Sequence, residues 1–305
     1  MNVYKKDTMK NLVKDNSYVG RGIVIGKTED GTKAAVAYFI MGRSDNSRNR
    51  IFKEEGEDVM IYPFDASKVE DPSLIIYAPI RKLDGKLIVT NGDQTDTIRD
   101  FVVAGKSFED ALETREFEPD APNWTPRISG MLTFAENDFT YKMSILKSAD
   151  EAGTACNRFT YSYKAIAGVG HFLHTYMGDG SPLPTFTGEP ERASIPNDID
   201  AWTKEIWENL NEQNKISIYV RFTDLKTGAV ENRMINKIDE NEIIFLNKEN
   251  LENFKNVKFD SIIVNEEVEN KYILKKILEK SKYIVWNSDI HCKSENLKNS
   301  YSNVI

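Results

Sequence analysis

Turn signals set between short apolar runs constrain this chain more than any other feature. Glu29-Asp30-Gly31 separates the runs Val19–Gly26 and Lys33–Met41, and Asp84-Gly85 separates Leu74–Ile80 from Lys86–Thr90. An acidic residue followed by Gly favours a tight reversal, so both pairs are predicted to be antiparallel hairpins. Further strands are predicted at Val59–Pro63, Arg127–Phe134, Thr140–Leu146, Thr160–Ala165 and Ile216–Phe222. Thr97–Ala104 and Ser107–Glu113 read as helices joined through Gly105, with Ser107 as N-cap and Asp110 three residues on. In Ile199–Leu210, Ile199, Trp202, Ile206 and Leu210 recur at helical spacing and predict an amphipathic helix. Strands come in hairpins and helices come grouped. That predicts α+β layers rather than a doubly wound parallel sheet.

Composition divides the chain. Residues 1–17 are polar and aperiodic and read as a short N-terminal arm or an ill-packed helix. After Gly228 there is no Gly and no Pro, and Asn, Lys and Glu dominate. Strand-like runs nevertheless recur there at Glu242–Leu246, Ser261–Val264 and Tyr283–Trp286, and Val268–Leu278 has helical spacing. The expected organisation is an arm (1–17), a main domain (18–228) and a small C-terminal α/β appendage with a loose tail (229–305). The formal charge of −8 argues against broad nucleic-acid binding, since a polyanion would be repelled by most of the surface. No apolar run approaches the roughly 18 to 20 residues of a membrane span. The first residues lack an apolar stretch after their lysines, and Cys156 and Cys292 match no metal or redox spacing, so a cytoplasmic setting is expected.

Three polar turns are candidates for chemistry. Gly42–Arg50 carries Arg43, Arg48 and Arg50 among Ser, Asn and Asp residues. Guanidinium forks suit phosphate, and Ser and Asn turns expose backbone N–H groups; a solvated charged loop is the plainer reading. Thr90–Thr97 joins a strand to a helix, and Asp96 or Thr95 would cap that helix, where an anion could also sit. A turn plus a cap explains the same residues without a ligand. The stretch Glu116–Gly130 is stiffened by Pro119, Pro122 and Pro126, with Glu118 at its start and Arg127 near its end. Gly178–Pro190, rich in Gly and Pro, reads as an exposed loop or the rim of a site. His171 and His174 have a spacing that would place two ligands on one helical face, but no third ligand is near, which favours structural histidines and no metal.

Taken in order, Tyr18–Gly26, Arg43-Ser44 with Asn49-Arg50, Leu74–Arg81, Thr90–Ile98 and Thr125–Ile128 resemble the archaeal-type IMP cyclohydrolase family, from about Tyr18 to Gly228. The resemblance implies a four-layer αββα sandwich like that of N-terminal-nucleophile hydrolases. It implies dehydrative closure of 5-formamidoimidazole-4-carboxamide ribotide to IMP, the last step of purine synthesis, without a cofactor. By motif position it makes Arg50, Tyr77 and Glu118 the catalytic residues. It gives the phosphate to Arg21, Arg43 or Arg127 and places Asn91, Gly92, Thr95 and Asp96 around the base. A small purine ribotide is the expected partner, and a homo-oligomer the expected assembly. A paralogue acting on another purine-like ribotide and a non-catalytic nucleotide-binding regulator are the competing readings.

Overall fold

Strand β1 (Arg21–Lys27) turns at Gly31, with a φ of 74° that suits glycine, into β2 (Lys33–Met41). The computed structural model of the chain describes residues 4–65, 76–238, 245–246, 261–264 and 283–286. Two compact units divide it, Met1–Lys237 and Ile238–Ile305.

In the first unit, the β1–β2 hairpin lies at the centre of a six-stranded sheet. Its other strands are β10 (Val169–His174), β11 (Glu191–Ser194), β12 (Lys215–Asp224) and β13 (Val230–Asn236), in the order β11-β10-β1-β2-β12-β13. A seven-stranded meander forms the second sheet: β3 (Ile51–Glu55), β4 (Asp58–Tyr62), β5 (Tyr77–Leu83), β6 (Lys86–Thr90), β7 (Arg127–Ala135), β8 (Asp138–Ser148) and β9 (Cys156–Lys164). Every neighbouring pair in both sheets is antiparallel. The protein is therefore α+β with two antiparallel sheets and few helices.

Period-two alternation decides what each face of β2 touches. Ala34, Val36, Tyr38 and Ile40 join Ile23 and Ile25 of β1 in a core shared with Phe52, Ile61, Ile80, Val89, Ile128 and Leu132 of the second sheet. Ala35, Ala37, Phe39 and Met41 face the opposite way. They pack with Met9 and Val13 of α1 (Met9–Val13) and with Ile199, Trp202 and Ile206 of α5 (Ile199–Asn209). On the far side of the second sheet, Ile88, Met131 and Leu146 meet Ile98 of α3 (Gln94–Val103) and Phe108, Ala111 and Leu112 of α4 (Phe108–Glu113). Gly130 permits close approach of the sheets, because a Cβ there would lie 2.5 Å from Ile25 Cδ1. Burial of each large apolar side chain in these layers stabilises the fold by about 1.5–3 kcal/mol.

Several boundaries differ from the sequence reading for identifiable reasons. Of the two readings of residues 1–17, the helix is present, as α1, but it is well packed: Met9 and Val13 are buried, and Asp7 bridges to Ala193. Helix α3 starts at Gln94 rather than Thr97, so Thr95 and Asp96 lie inside its first turn and neither caps it; Asp93 stands at the N-cap position. Ser107 does cap α4, in a reciprocal box with Asp110. His171 and His174 stand on strand β10, not a helix, so their spacing of three sends them to opposite faces. The composition shift at Gly228 precedes the end of the first unit, because β13 completes the sheet on β12.

In the second unit, β14 (Phe245–Leu246), β15 (Ser261–Val264) and β16 (Tyr283–Trp286) pair in parallel in that order. The helical reading of Val268–Leu278, the tail, and Leu74 and Ile75 of the expected strand lie outside the described residues. No helix among the described residues is long and apolar enough to cross a membrane.

Candidate active site

The polar groups of interest gather where β1 and β2 meet the start of the second sheet. Arg21 opens β1 on the alternation of Ile23 and Ile25, the face turned to the other sheet. Its backbone N–H is held by Thr175 Oγ1 at 3.1 Å, and its Nη1 donates to the Met41 carbonyl at 3.3 Å. Gly20 just before it has a φ of 76°, and a Cβ there would lie 2.1 Å from Thr175 Oγ1, so the close approach that presents Arg21 depends on glycine.

Arg50 ends the Arg-rich turn, immediately before β3. The turn contains a short helix, α2 (Asp45–Arg48), capped reciprocally by Ser44 and Ser47. Asn49 locks the turn by accepting from the Asp65 N–H and donating to the Asp65 carbonyl, both at 2.7 Å. Arg50 is thereby directed inward, and its Nε is buried without a hydrogen-bond partner among the described residues. Burial, and then the nearby Arg21 cation, lower its pKa, while Tyr77 and Glu118 oppose that shift.

Tyr77 opens β5 with 5% of its surface exposed, and its hydroxyl lies 3.2 Å from that of Tyr38. Burial raises both phenols above their ordinary value, although Arg21 and Arg50 act against it, so both hydroxyls are protonated at neutral pH. Glu118 lies in the Pro-stiffened segment, fixed by its N–H donating to the Thr125 carbonyl at 2.9 Å. Burial raises its carboxyl above the usual range; Arg127, Arg21 and Arg50 pull the other way. A carboxylate nearer neutrality is a better proton acceptor. Arg21, Arg50, Tyr77 and Glu118 thus form one electrostatic cluster assembled from three strands' beginnings and a rigid loop.

Residues 18–228 match the family described as IMP cyclohydrolase-like protein. The chain belongs to that family. An IMP cyclohydrolase of Methanopyrus kandleri is 40% identical over 116 residues, covering 37% of this chain and 57% of that protein. One from Methanococcus maripaludis is 32% identical over 168 residues, covering 50% of this chain and 82% of that protein. One from Methanococcus aeolicus is 32% identical over 142 residues, covering 43% and 69% respectively. The match therefore spans little more than half the length of the Methanopyrus relative.

Other residues singled out in this IMP cyclohydrolase-like chain stand at varying distances from the cluster. Arg127 is buried, and its Nη1 donates to Asp93 at 2.6 Å and to Gln94 at 2.7 Å. Gly92 lies between Arg127 and Glu118: a Cβ there would be 2.6 Å from Arg127 Nη1 and 3.5 Å from Glu118 Oε1. Arg43 instead reaches outward to Asp179 Oδ1 at 2.5 Å and the Gly180 carbonyl at 2.9 Å, with its guanidinium 5.1 Å above the Tyr18 ring. Asn91 is buried and committed: its amide donates to the Pro126 carbonyl and accepts from the Ile128 N–H and Gln94 Nε2. Thr95 hydrogen-bonds Thr90 and the Gly92 carbonyl. Asp96 turns away to Arg81 and Arg99.

Three tyrosines near the cluster were missed in the sequence. Tyr38 could have been noticed as the one hydroxyl in the apolar stripe of β2, since a buried phenol needs a partner. Tyr18 stacks on Tyr176 at 5.8 Å, and the Tyr176 hydroxyl lies 2.6 Å from Thr125 Oγ1; no local signal joins these distant positions. The histidines serve packing. His171 Nδ1 meets the Tyr141 hydroxyl at 2.6 Å beneath a stacked Tyr163, and burial lowers its pKa to about 4. His174 Nδ1 donates to the Tyr176 carbonyl at 2.8 Å.

Proposed function

We propose that the chain is an IMP cyclohydrolase, closing 5-formamidoimidazole-4-carboxamide ribotide to IMP with loss of water. The observation that carries this reading is the convergence of Arg21, Arg50, Tyr77 and Glu118 around a buried Arg50 Nε that has no hydrogen-bond partner among the described residues. Two cations facing one carboxylate leave room, electrostatically, for an anionic or oxyanionic ligand. The two sheets with helices on their outer faces support an αββα sandwich of the N-terminal-nucleophile hydrolase kind. Residues 18–228 are the catalytic part in this reading, the setting is cytoplasmic, and the working form is a homo-oligomer.

Both reacting groups belong to one substrate, so alignment supplies much of the rate. The carboxamide nitrogen attacks the formyl carbon, forming the C–N bond while the carbonyl electron pair moves to the formyl oxygen. Glu118 accepts the proton lost from that nitrogen. Arg50 stabilises the developing oxyanion, and the Tyr77 hydroxyl donates a hydrogen bond to it. That oxygen takes the proton held by Glu118 and a second from solvent, the C–O bond breaks and water leaves. The former formamide nitrogen loses its proton as its lone pair forms the new C=N bond. Arg21 and Arg127 hold the phosphate, with Arg43 at the rim; Gly92 provides close approach for the ligand, and Asn91 and Thr95 hold the turn that borders it.

Purified protein mixed with the formyl ribotide should form IMP, followed by chromatography. Tyr77→Phe should lower kcat by about 10²-fold. Folded wild-type protein with no turnover above background sinks the reading. Purine ribotide binding without turnover would instead favour a regulator.

A further inference from the structure

Tyr38 stands directly behind Tyr77 and has no role in the reaction as drawn above. It is fully buried on β2, with its ring stacked 5.6 Å from Phe52. Among the described residues, the Tyr77 hydroxyl is the hydrogen-bond partner of the Tyr38 hydroxyl, and the reverse holds too.

Two facing phenols carry two hydrogens, but one hydrogen bond between them uses one. The other must point elsewhere, and burial decides which oxygen keeps it. If Tyr77 donated to Tyr38, the Tyr38 hydrogen would be sealed in an apolar stripe without an acceptor, which burial penalises. If Tyr38 donates, the spare hydrogen belongs to Tyr77, the less buried of the two. The charged neighbours sharpen this direction. The charges of Arg21 and Arg50 act on both phenols, and guanidinium groups offer donors and no acceptor. Neither arginine can accept the free Tyr77 hydrogen, and although the charge of the Glu118 carboxylate reaches Tyr77, no hydrogen bond joins them among the described residues, so that hydrogen is available to a ligand oxygen.

We infer that Tyr38 is a positioning residue for the ring closure: its hydroxyl donates to the Tyr77 oxygen and so aims the Tyr77 O–H at the oxygen that leaves as water. The direction of the hydrogen bond is a property of the protein; its use in ring closure rests on the cyclohydrolase reading.

The test has two arms. In the first, Tyr77 is replaced by 3,5-difluorotyrosine, whose fluorines lower the phenol pKa into a range the fold tolerates and give a single-site ¹⁹F signal. Its titration is compared with Tyr38 present and with Tyr38→Phe. Loss of a donor to the phenolate should raise the midpoint by about 0.5–1 pH unit. An unchanged or lower midpoint overturns the inference, because a Tyr38 hydroxyl that does not donate to the Tyr77 oxygen predicts that result. In the second arm, Tyr38→Phe should lower kcat about 10-fold with KM within about twofold. The same substitution should cost nothing further in Tyr77→Phe protein. Equal losses in both backgrounds would mean that Tyr38 only packs. If wild-type protein forms no IMP, the proposed function falls, and the fluorine titration still decides whether Tyr38 donates to the Tyr77 oxygen.

Discussion

The turns Gly42–Arg50 and Thr90–Thr97 look alike as sequence, each polar, each following a strand, each suited to an anion. In the fold they differ in how fully their polar groups are paired. Thr90–Thr97 satisfies itself: Asn91 ties three groups together, Thr90 and Thr95 share the Gly92 carbonyl, and Asp96 pairs with arginines. Gly42–Arg50 satisfies most of its groups too, through Ser44, Ser47 and Asn49, yet leaves the buried Arg50 Nε, among the described residues, unpaired beside a second cation. A self-satisfied turn is scaffold. An unpaired buried donor costs free energy until something binds, and marks where a ligand belongs.

Substitutions can break this contrast. Arg50→Ala carries the largest expected effect, a loss of about 10²-fold in kcat/KM for IMP formation, or about 2.7 kcal/mol of transition-state stabilisation. Its melting temperature should hold or rise, since a desolvated charge beside Arg21 has been removed. A large fall in melting temperature would make Arg50 structural after all. Asn91→Ala should show the opposite signature, a destabilisation of about 2 kcal/mol in denaturant melts, because it strands the Ile128 N–H and the Pro126 carbonyl. Asp96→Asn is the smallest: within about 1 kcal/mol in stability, as for other exposed ion pairs, and KM within about twofold. A tenfold rise in KM would return Asp96 to the pocket.

Much of the scaffold was legible along the chain. Lys33–Met41, Lys86–Thr90, the Ser107 cap and the amphipathic helix at Ile199 could be read because turn chemistry, alternation and helical periodicity are local properties. Strands β10, β11 and β13 were not, since their stability comes from neighbours distant in sequence. Arg50, Tyr77 and Glu118 entered through motif order; Tyr38 did not, because a tyrosine on a core stripe carries no sign of what lies opposite.

The sequence by itself determined the class of fold, the hairpins and the kind of chemistry that Arg-rich and Pro-stiffened turns can support. Tertiary structure decided which of those groups act together. Two sheets packed face to face bring Arg21, Tyr38, Arg50, Tyr77 and Glu118 within reach of one another's charge and hydrogen bonds. The same packing binds Arg43 to Asp179 and Asp96 to Arg81. Whether a polar side chain is spent on the fold or left for a ligand depends on its burial and partners, and both are set only when distant segments meet.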